Sequence, residues 1–412
     1  MKTNNALHKS LFVFALLYLG YVISYIDRAA ISLALSHIGE DFHLGAGELG
    51  VVLSAFYLGY AVMQIPGGWL ADRFGAKWVV VVSIALWSVF TLMTGLAWSL
   101  ASLLVIRFLF GLGEGSYPSA AVKGVAELYT RADRPKMTSL LISSNYTGSF
   151  AAPLIITPLL VWLGWRDVFL AIGVAGILFA LGFAWLVKRP EAYGNYQPHV
   201  ASDSAGKVDA KVLLRMPLLW KIVLVWFSLG LVNKGLDAWM PMYLLTARGL
   251  DLKTVGMLVP LPFITASIAS AMGGWLMTRY FDGREKLLMT ASCALTGLFL
   301  YGMYQSQSTT EVITYQAIVY FFKSFVFATA FALPTKILAQ RLVGTGIGMV
   351  NFGGQVAGFV SPMVIGFLVA HYGTYESAFL FLLCATVAAT LISLSISDRK
   401  VLAVQQANMH EA

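Results

Sequence analysis

The chain has 412 residues, of which 58% are hydrophobic and only 12% are charged, and its formal net charge is +8. Because a soluble domain carries roughly 25% charged residues, this composition excludes an ordinary water-soluble enzyme or binding domain. The basic residues lie in short segments between apolar runs, so the positive charge indicates a membrane topology rather than a nucleic-acid surface.

Apolar runs define the predicted elements in chain order, beginning near Leu11. This first run exceeds the length of a signal-peptide core and no small-residue cleavage site follows it, so we predict a retained helix. Every later run is also long enough to cross a bilayer. We predict twelve helices, over residues 11–36, 47–71, 77–97, 101–127, 137–162, 166–187, 218–246, 253–278, 286–305, 311–338, 344–370 and 375–397.

The chain contains two copies of one pattern. Gly-Gly-Trp-Leu at Gly67–Leu70 returns at Gly273–Leu276, a shift of 206 residues. Parallel repeats of this kind are typical of secondary transporters. We therefore expect an all-α membrane protein with twelve transmembrane helices in two pseudo-symmetric six-helix bundles, over residues 1–188 and 218–412, joined by a cytoplasmic linker over residues 189–217. The same shift carries Asn145 to Asn351, Gly148 to Gly354, and Asp27-Arg28 to Asn233-Lys234.

Basic residues predict the orientation of the chain. The even-numbered loops hold Arg73, Lys77, Arg131, Arg134, Lys136, Arg279, Arg284, Lys286 and Arg341, whereas the odd-numbered loops hold Arg166, Arg248 and Lys253. Because positive charge marks the cytoplasmic side of a membrane, we expect both termini in the cytoplasm.

The segment GGWLADRFGAK, from Gly67 to Lys77, closely resembles the motif between the second and third helices of the major facilitator superfamily. The resemblance implies a major facilitator fold and a conformational latch formed by Gly68, Asp72 and Arg73 at the cytoplasmic helix ends. In the repeat copy Thr278 stands at the acidic position, so a weaker latch is expected there. A generic polar loop is the alternative interpretation.

Seven ionisable residues lie inside the predicted spans, where a charged side chain costs at least ~2.5–3.5 kcal/mol, so each is a functional candidate. They are Asp27, Arg28, Arg107, Glu114, Lys234, Asp237 and Lys323. Three others lie near cytoplasmic helix ends and are expected to snorkel to the interface, namely Lys123, Glu127 and Lys336.

Arg107 and Glu114 are seven residues apart and share one face of a helix. With Asp27 and Arg28 they balance two acids with two bases. One interpretation is a fixed ion-pair network that makes the bundle rigid. The other is a proton-coupled carrier, because burial favours a neutral carboxyl group whereas a neighbouring arginine favours the charged form.

Arg28 and Lys234 occupy equivalent places in the two copies. A pseudo-two-fold axis is expected to bring them to opposite walls of one cavity, where they would hold a carboxylate or a dianion. The alternative is that Asp237, three residues after Lys234, only neutralises it. The role of Lys323 stays open.

Uncharged polar residues add to the predicted binding site. Asn offers both a donor and an acceptor to a hydroxylated substrate, although each of these residues is alternatively a contact between helices. The glycines Gly111, Gly113 and Gly115 predict close helix packing, since no P-loop spacing surrounds them. The substrate-binding candidates of this kind are Tyr25, Tyr60, Gln64, Asn145 and Asn351.

Four segments together resemble the anion:cation symporter family, which includes bacterial galactonate, glucarate and hexuronate transporters and the vesicular glutamate and sialic-acid transporters of animals. The segments are Tyr25-Ile-Asp27-Arg28, Ser54 to Gly75, Arg107 with Glu114, and Val350 to Gly354. The resemblance spans nearly the whole chain. It implies that Asp27 and Glu114 are protonatable, that Arg107 is their charge partner, and that Arg28 binds the substrate carboxylate.

The same resemblance places Tyr25, Tyr60, Asn145 and Asn351 at cavity-lining positions, although sugar-acid members often carry Gln where Asn145 stands. The departures at Asn233, Lys234 and Asp237 make a dicarboxylate, or another second anionic group, an alternative.

The function that the resemblance implies is proton-coupled symport of a small organic anion by alternating access in a bacterial inner membrane. A sugar acid such as an aldonate, an aldarate or a hexuronate is expected, carried by a monomer in the lipid bilayer without cofactor or metal; Na⁺ in place of H⁺ stays open. The alternatives are an organophosphate or dicarboxylate transporter or exchanger, and a transporter-like ligand sensor. An enzyme is not expected, because the six histidines are scattered and no Cys/His cluster has metal spacing.

Overall fold

The computed structural model describes residues 2–130, 133–188, 211–281, 283–338 and 340–396, and every regular element in these ranges is an α-helix. The predicted all-α class is therefore confirmed. The helices are α1 Lys2–Leu33, α2 Leu35–Phe42, α3 Ala46–Phe74, α4 Ala76–Gly95, α5 Leu100–Gly115, α6 Tyr117–Leu128, α7 Arg134–Leu186, α8 Lys211–Leu214, α9 Pro217–Thr246, α10 Leu252–Leu258, α11 Leu261–Tyr280, α12 Glu285–Gln305, α13 Thr309–Ile337, α14 Gln340–Tyr372 and α15 Glu376–Leu394.

Within the described part of the chain, eleven stretches are long and apolar enough to cross a membrane. One of them, in α7, contains two crossings. A helix of the 53 residues of α7 would be about 80 Å long, far more than the roughly 30 Å of a bilayer core. Gly164 breaks it with φ 77° and ψ 165°, a backbone conformation that only glycine adopts easily. The described residues therefore make twelve crossings, which agrees with the prediction.

Some predicted helices divide or end at other residues than expected. The helix predicted over residues 101–127 is divided at Ser116 into α5 and α6, because Pro118 has no N–H to donate to the carbonyl of Glu114. The segment predicted over 253–278 likewise divides into α10 and α11. The second helix continues through Pro66 to Phe74, so a single residue, Gly75 at φ 81°, makes the turn before α4.

The described helices form two compact units: α1 to α7 with α10, and α8, α9 and α11 to α15. In the first unit α3 packs on α5, and α7 packs on both α1 and α4. In the second unit α9 packs on α14 and α15, and α13 packs on α11 and α12. Most of the predicted linker over residues 189–217 lies outside the described residues. Its described end carries α8, whose Leu213 is buried in the core of the second unit.

Glycines let helices approach closely at equivalent places in the two units. A Cβ atom on Gly148 of α7 would lie 2.6 Å from Tyr25 Cβ on α1. A Cβ atom on Gly354 of α14 would lie 2.4 Å from Trp226 Nε1 on α9. These two glycines are related by the predicted shift, and each packs its helix against the first long helix of its own unit. The repeat is therefore a feature of the packing as well as of the sequence.

The predicted packing role of the α5 glycines is confirmed. A Cβ atom on Gly111 would lie 2.1 Å from the carbonyl oxygen of Phe56, and one on Gly115 would lie 2.7 Å from Met63 Cβ. Both neighbours belong to α3, so the absence of a side chain on α5 sets the distance between these helices.

Replacing Gly111 by alanine is expected to lower the thermal unfolding midpoint of the detergent-purified protein. The added methyl group meets backbone rather than a movable side chain, and overpacking of this kind costs ~1–3 kcal/mol. The matched control is Gly182→Ala in α7, where a Cβ atom meets nothing within 4 Å. Equal midpoints for the two variants would show that α3 and α5 separate without cost.

Candidate functional site

Four charged residues that the sequence singled out meet inside the first unit, on α1 and α5. Asp27 is 1% exposed, Arg107 1% and Glu114 0%, and the Arg28 side chain is 11% exposed. Two acids and two bases therefore share one apolar region with little access to water. Burial of this degree is tolerated when charges are paired or hydrogen-bonded, so the partners of each group decide what the site does.

Arg28 and Glu114 form the direct ion pair of the site. Arg28 Nε donates to Glu114 Oε1 over 2.8 Å, and the Ser24 hydroxyl donates to the same oxygen. The other oxygen, Glu114 Oε2, is buried without a hydrogen-bond partner. One oxygen of Glu114 thus accepts two hydrogen bonds, and the other has no hydrogen-bond partner and is available to bind a proton.

Aromatic rings surround the Arg28 guanidinium. Its carbon lies 4.5 Å from the centroid of Tyr60, 4.8 Å from that of Tyr25 and 5.0 Å from that of Phe56. The structure therefore brings the predicted residues Tyr25 and Tyr60 to Arg28. Phe56 was missed, although it lies four residues before Tyr60 and so on the same face of α3. Rings of this kind stabilise a cation in place of water.

Asp27 and Arg107 complete the cluster without pairing directly. Asp27 Oδ2 accepts a hydrogen bond of 3.3 Å from Thr91, and Asp27 Oδ1 has no partner. The Arg107 guanidinium lies 4.5 Å from the Phe110 ring, and its Nε and Nη1 are buried without hydrogen-bond partners. Arg107 acts on both acids through its charge. The predicted charge partner of the acids is therefore near them, but the ion pair with Glu114 is made by Arg28.

The remaining predicted polar residues lie elsewhere in the two units. Gln64 Nε2 donates to the carbonyl of Gly115 over 3.4 Å in the first unit, where Asn145 Oδ1 is buried without a partner. Asn351 lies in the second unit, where its Oδ1 accepts a hydrogen bond of 3.4 Å from Gln355.

The predicted latch residues make contacts within the first unit. Asp72 Oδ1 lies 3.1 Å from Lys123 Nζ, and the same nitrogen donates to the carbonyl of Ala71 over 2.8 Å. Lys123 thus binds the C-terminal end of α3 instead of only snorkelling. Because the Asp72 side chain is 81% exposed, this pair contributes little stability, on the order of 0–1 kcal/mol.

The other two predicted latch residues, Gly68 and Arg73, differ in their contacts with neighbouring side chains. The Arg73 guanidinium lies 5.2 Å from the Trp69 ring. Gly68 is not sterically required, since a Cβ atom there would meet only Ser119 Oγ at 3.9 Å. Its neighbour Gly67 is required, because a Cβ atom there would lie 2.5 Å from Ser116 Cα.

The second unit holds two charged contacts that sequence reasoning missed. Lys336 Nζ lies 2.5 Å from Glu285 Oε1, and Glu285 is 2% exposed, so Lys336 also does more than snorkel. Deeper in the unit, the Tyr320 hydroxyl donates to Asp237 Oδ1. Asp237 therefore also contacts α13, and the two interpretations of Lys234, as a substrate-binding residue or as the partner of Asp237, stay predictions.

The family model described as Major Facilitator Superfamily matches residues 17–280 and 249–409 of this chain. A probable sulfoacetate transporter from Cupriavidus necator is 31% identical to it, over 89% of each chain. A hexuronate transporter from Bacillus subtilis is 28% identical, over 89% of this chain and 90% of its own. A solved structure of a bacterial homologue of the human lysosomal transporter Spinster matches 98% of each chain with a TM-score of 0.78 and 20% identity, a likeness in fold.

Proposed function

Since the chain belongs to the Major Facilitator Superfamily, we propose that it is a secondary active transporter that carries a small organic acid together with protons. A sugar acid such as an aldonate, an aldarate or a hexuronate is the proposed cargo. The similarity to proteins named for hexuronate and sulfoacetate supports this class, because both compounds carry a carboxylate. We place the protein in the inner membrane of a bacterium, as a monomer.

The Arg28–Glu114 pair carries the proposal. An arriving carboxylate accepts hydrogen bonds from Arg28 and displaces Glu114, because a guanidinium binds one carboxylate well at a time in this geometry. Glu114 then lies in an apolar region without its cation, which favours its neutral form. It takes up a proton from water on the side from which the substrate came, and Oε2, which has no partner, is the oxygen open to that proton.

Release reverses these steps. Once the substrate leaves on the other side of the membrane, Arg28 and the Glu114 carboxylate pair again and the proton is given up there. Exposure of the site on alternate sides follows from different free energies of the loaded and empty states. Each cycle then moves one carboxylate and at least one proton in the same direction.

Asp27 is the second proposed proton carrier. Arg107 is the neighbouring positive charge that favours the charged form of both acids. Asp27 and Glu114 interact electrostatically, so the charge on one acts on the other. The cluster of two acids and two bases is neutral when both acids are charged, and binding of one anion is balanced by uptake of one proton.

The proposal is tested with purified protein in liposomes that contain a pH-sensitive dye. An aldonate, a hexuronate, an aldarate, sulfoacetate and a hexose phosphate are added outside, with and without a Na⁺ gradient. We expect acidification of the lumen with at least one carboxylate and no requirement for Na⁺. Counterflow of the phosphate ester without any acidification would instead favour an organophosphate exchanger and contradict proton symport.

A further inference from the structure

The Thr91 hydroxyl of α4 lies between two acceptors on different helices of the first unit. Its Oγ1 is 3.0 Å from the carbonyl oxygen of Trp87, one turn earlier on α4, and 3.3 Å from Asp27 Oδ2 on α1. All three residues are buried. A hydroxyl group carries one proton, so it donates to one of these oxygens at a time. The other oxygen then faces a lone pair of Thr91 Oγ1.

The distances favour the Trp87 carbonyl as the acceptor of this proton. A threonine inside a helix commonly donates to the carbonyl three or four residues earlier. Thr94 of α4 does so, since its Oγ1 donates to the carbonyl of Phe90 over 2.8 Å. The 3.3 Å between Thr91 and Asp27 is longer than the ~2.5–2.7 Å expected between a hydroxyl group and a charged carboxylate. Thr91 therefore presents a lone pair, rather than its proton, to Asp27.

The surroundings of Asp27 give little support to its charged form. Asp27 Oδ1 is buried without a hydrogen-bond partner, and so is Nε1 of Trp87, whose indole lies near the carboxyl group. Among the described residues, the charged groups that act on Asp27 are Arg107 and Glu114 of α5, and Arg107 leaves its Nε and Nη1 unpaired. A buried carboxyl group with few hydrogen-bond donors favours the neutral form.

Protonation of Asp27 allows both hydrogen bonds of the Thr91 hydroxyl to form at once. A proton on Asp27 Oδ2 is donated to Thr91 Oγ1, while the Thr91 proton goes to the carbonyl of Trp87. When Asp27 is charged, Thr91 donates to only one of the two oxygens, and the site has one hydrogen bond fewer. Glu114 differs, because Arg28 and Ser24 both donate to its Oε1. The contacts thus favour a neutral Asp27 beside a charged Glu114.

We propose that Thr91 is a positioning residue for the proton of Asp27: its Oγ1 accepts the hydrogen bond of the protonated carboxyl group and so favours proton uptake there. The inference rests on the proposed function, which makes Asp27 a proton carrier, and it adds the residue that holds this proton. Loss of the proton turns the Thr91 hydroxyl from the Trp87 carbonyl towards the carboxylate. Protonation of α1 therefore changes the hydrogen bonding of α4.

Thr91→Val is expected to move proton uptake to lower pH, because the neutral form of Asp27 loses its acceptor. Loss of one hydrogen bond corresponds to a shift of about 0.4–1 pH unit. The pH at which substrate-driven acidification of liposomes is half-maximal should fall by this amount. Thr91→Ser keeps the hydroxyl and should restore the wild-type profile. The matched control is Thr94→Val, at a buried threonine of the same helix that donates to Phe90, and its profile should not shift.

Protonation of Asp27 is measured independently of transport, by infrared difference spectroscopy of the purified protein over a series of pH values. The carbonyl band of the neutral carboxyl group is assigned to Asp27 by its absence in Asp27→Asn. In Thr91→Val this band should appear at lower pH than in wild-type protein. It should also lie at higher frequency, because the O–H group of Asp27 has lost its acceptor.

The infrared result separates the role of Thr91 from the proposed symport. An Asp27 band with the same midpoint and frequency in Thr91→Val as in wild-type protein contradicts the inference. A higher midpoint also contradicts it, since Thr91 would then donate to the charged carboxylate. A lower midpoint in a protein that acidifies liposomes with no organic acid would retain the role of Thr91 and contradict symport. Absence of an Asp27 band at every pH would contradict both this role and Asp27 as a proton carrier.

Discussion

Glu114→Gln is expected to abolish the entry of protons with substrate while leaving substrate binding intact. Glutamine has the shape of the protonated acid but cannot release a proton, and it frees Arg28 to bind a carboxylate without competition. Because proton transfer by a positioned side chain contributes about 10²- to 10⁴-fold to a rate, the initial rate of lumen acidification should fall at least about 100-fold.

The matched control for this variant is Glu48→Gln, which removes an exposed carboxylate that accepts a hydrogen bond from the backbone of Gly45. It should acidify liposomes like wild-type protein. Substrate binding to Glu114→Gln is measured by thermal stabilisation of the purified protein. Undiminished acidification by Glu114→Gln would assign coupling to Asp27 alone and contradict the exchange of partners at Arg28.

Arg28→Ala is expected to have the second largest effect, on both stability and binding. It removes the guanidinium proposed to hold the substrate and leaves the Glu114 carboxylate buried without its cation. Breaking a buried ion pair in this way costs roughly 3–5 kcal/mol. We therefore expect low folded yield, a lower unfolding temperature and no measurable transport.

Two further variants separate the structural role of Arg28 from its role in binding. The double variant Arg28→Ala with Glu114→Gln removes both charges of the ion pair, so the unfolding temperature should recover whereas transport should not. Arg28→Lys keeps the charge but not the planar donors, and should raise the KM about tenfold. Arg166→Lys is its control, at an arginine 4.4 Å from the Trp165 ring and outside the charged cluster. Restored transport in the double variant would show that Arg28 does not bind substrate.

The residue that pairs with Glu114 could not be predicted from the sequence. Arg107 and Glu114 share a face of α5, but seven residues along a helix correspond to about 10 Å, which is too far for direct contact. The partner comes from α1, 86 residues earlier in the chain. Whether Arg28 or Arg107 reaches Glu114 depends on how α1 and α5 pack, and no periodicity in either helix contains that information.

Lys323 gives the same lesson in the second unit. Its charge was visible in the sequence, as was the ring of Tyr320, three residues earlier on the same face of α13, but the residue that Tyr320 binds was not. Asp237 and Tyr320, which are 83 residues apart, become neighbours only when α9 packs near α13. The glycines were more predictable, since close packing follows from the absence of a side chain, although the choice of Gly67 over Gly68 required the position of Ser116.

The membrane class, the twelve crossings, the repeat and the set of buried charges could all be predicted from the sequence. Each of these follows from hydrophobic length, from an internal shift or from the high cost of a charge in hydrocarbon, which are properties of single helices. Which charges pair, and which polar atoms remain without partners, became known only from the packed helices. These are distances between side chains on different helices, and the packing of the helices sets them.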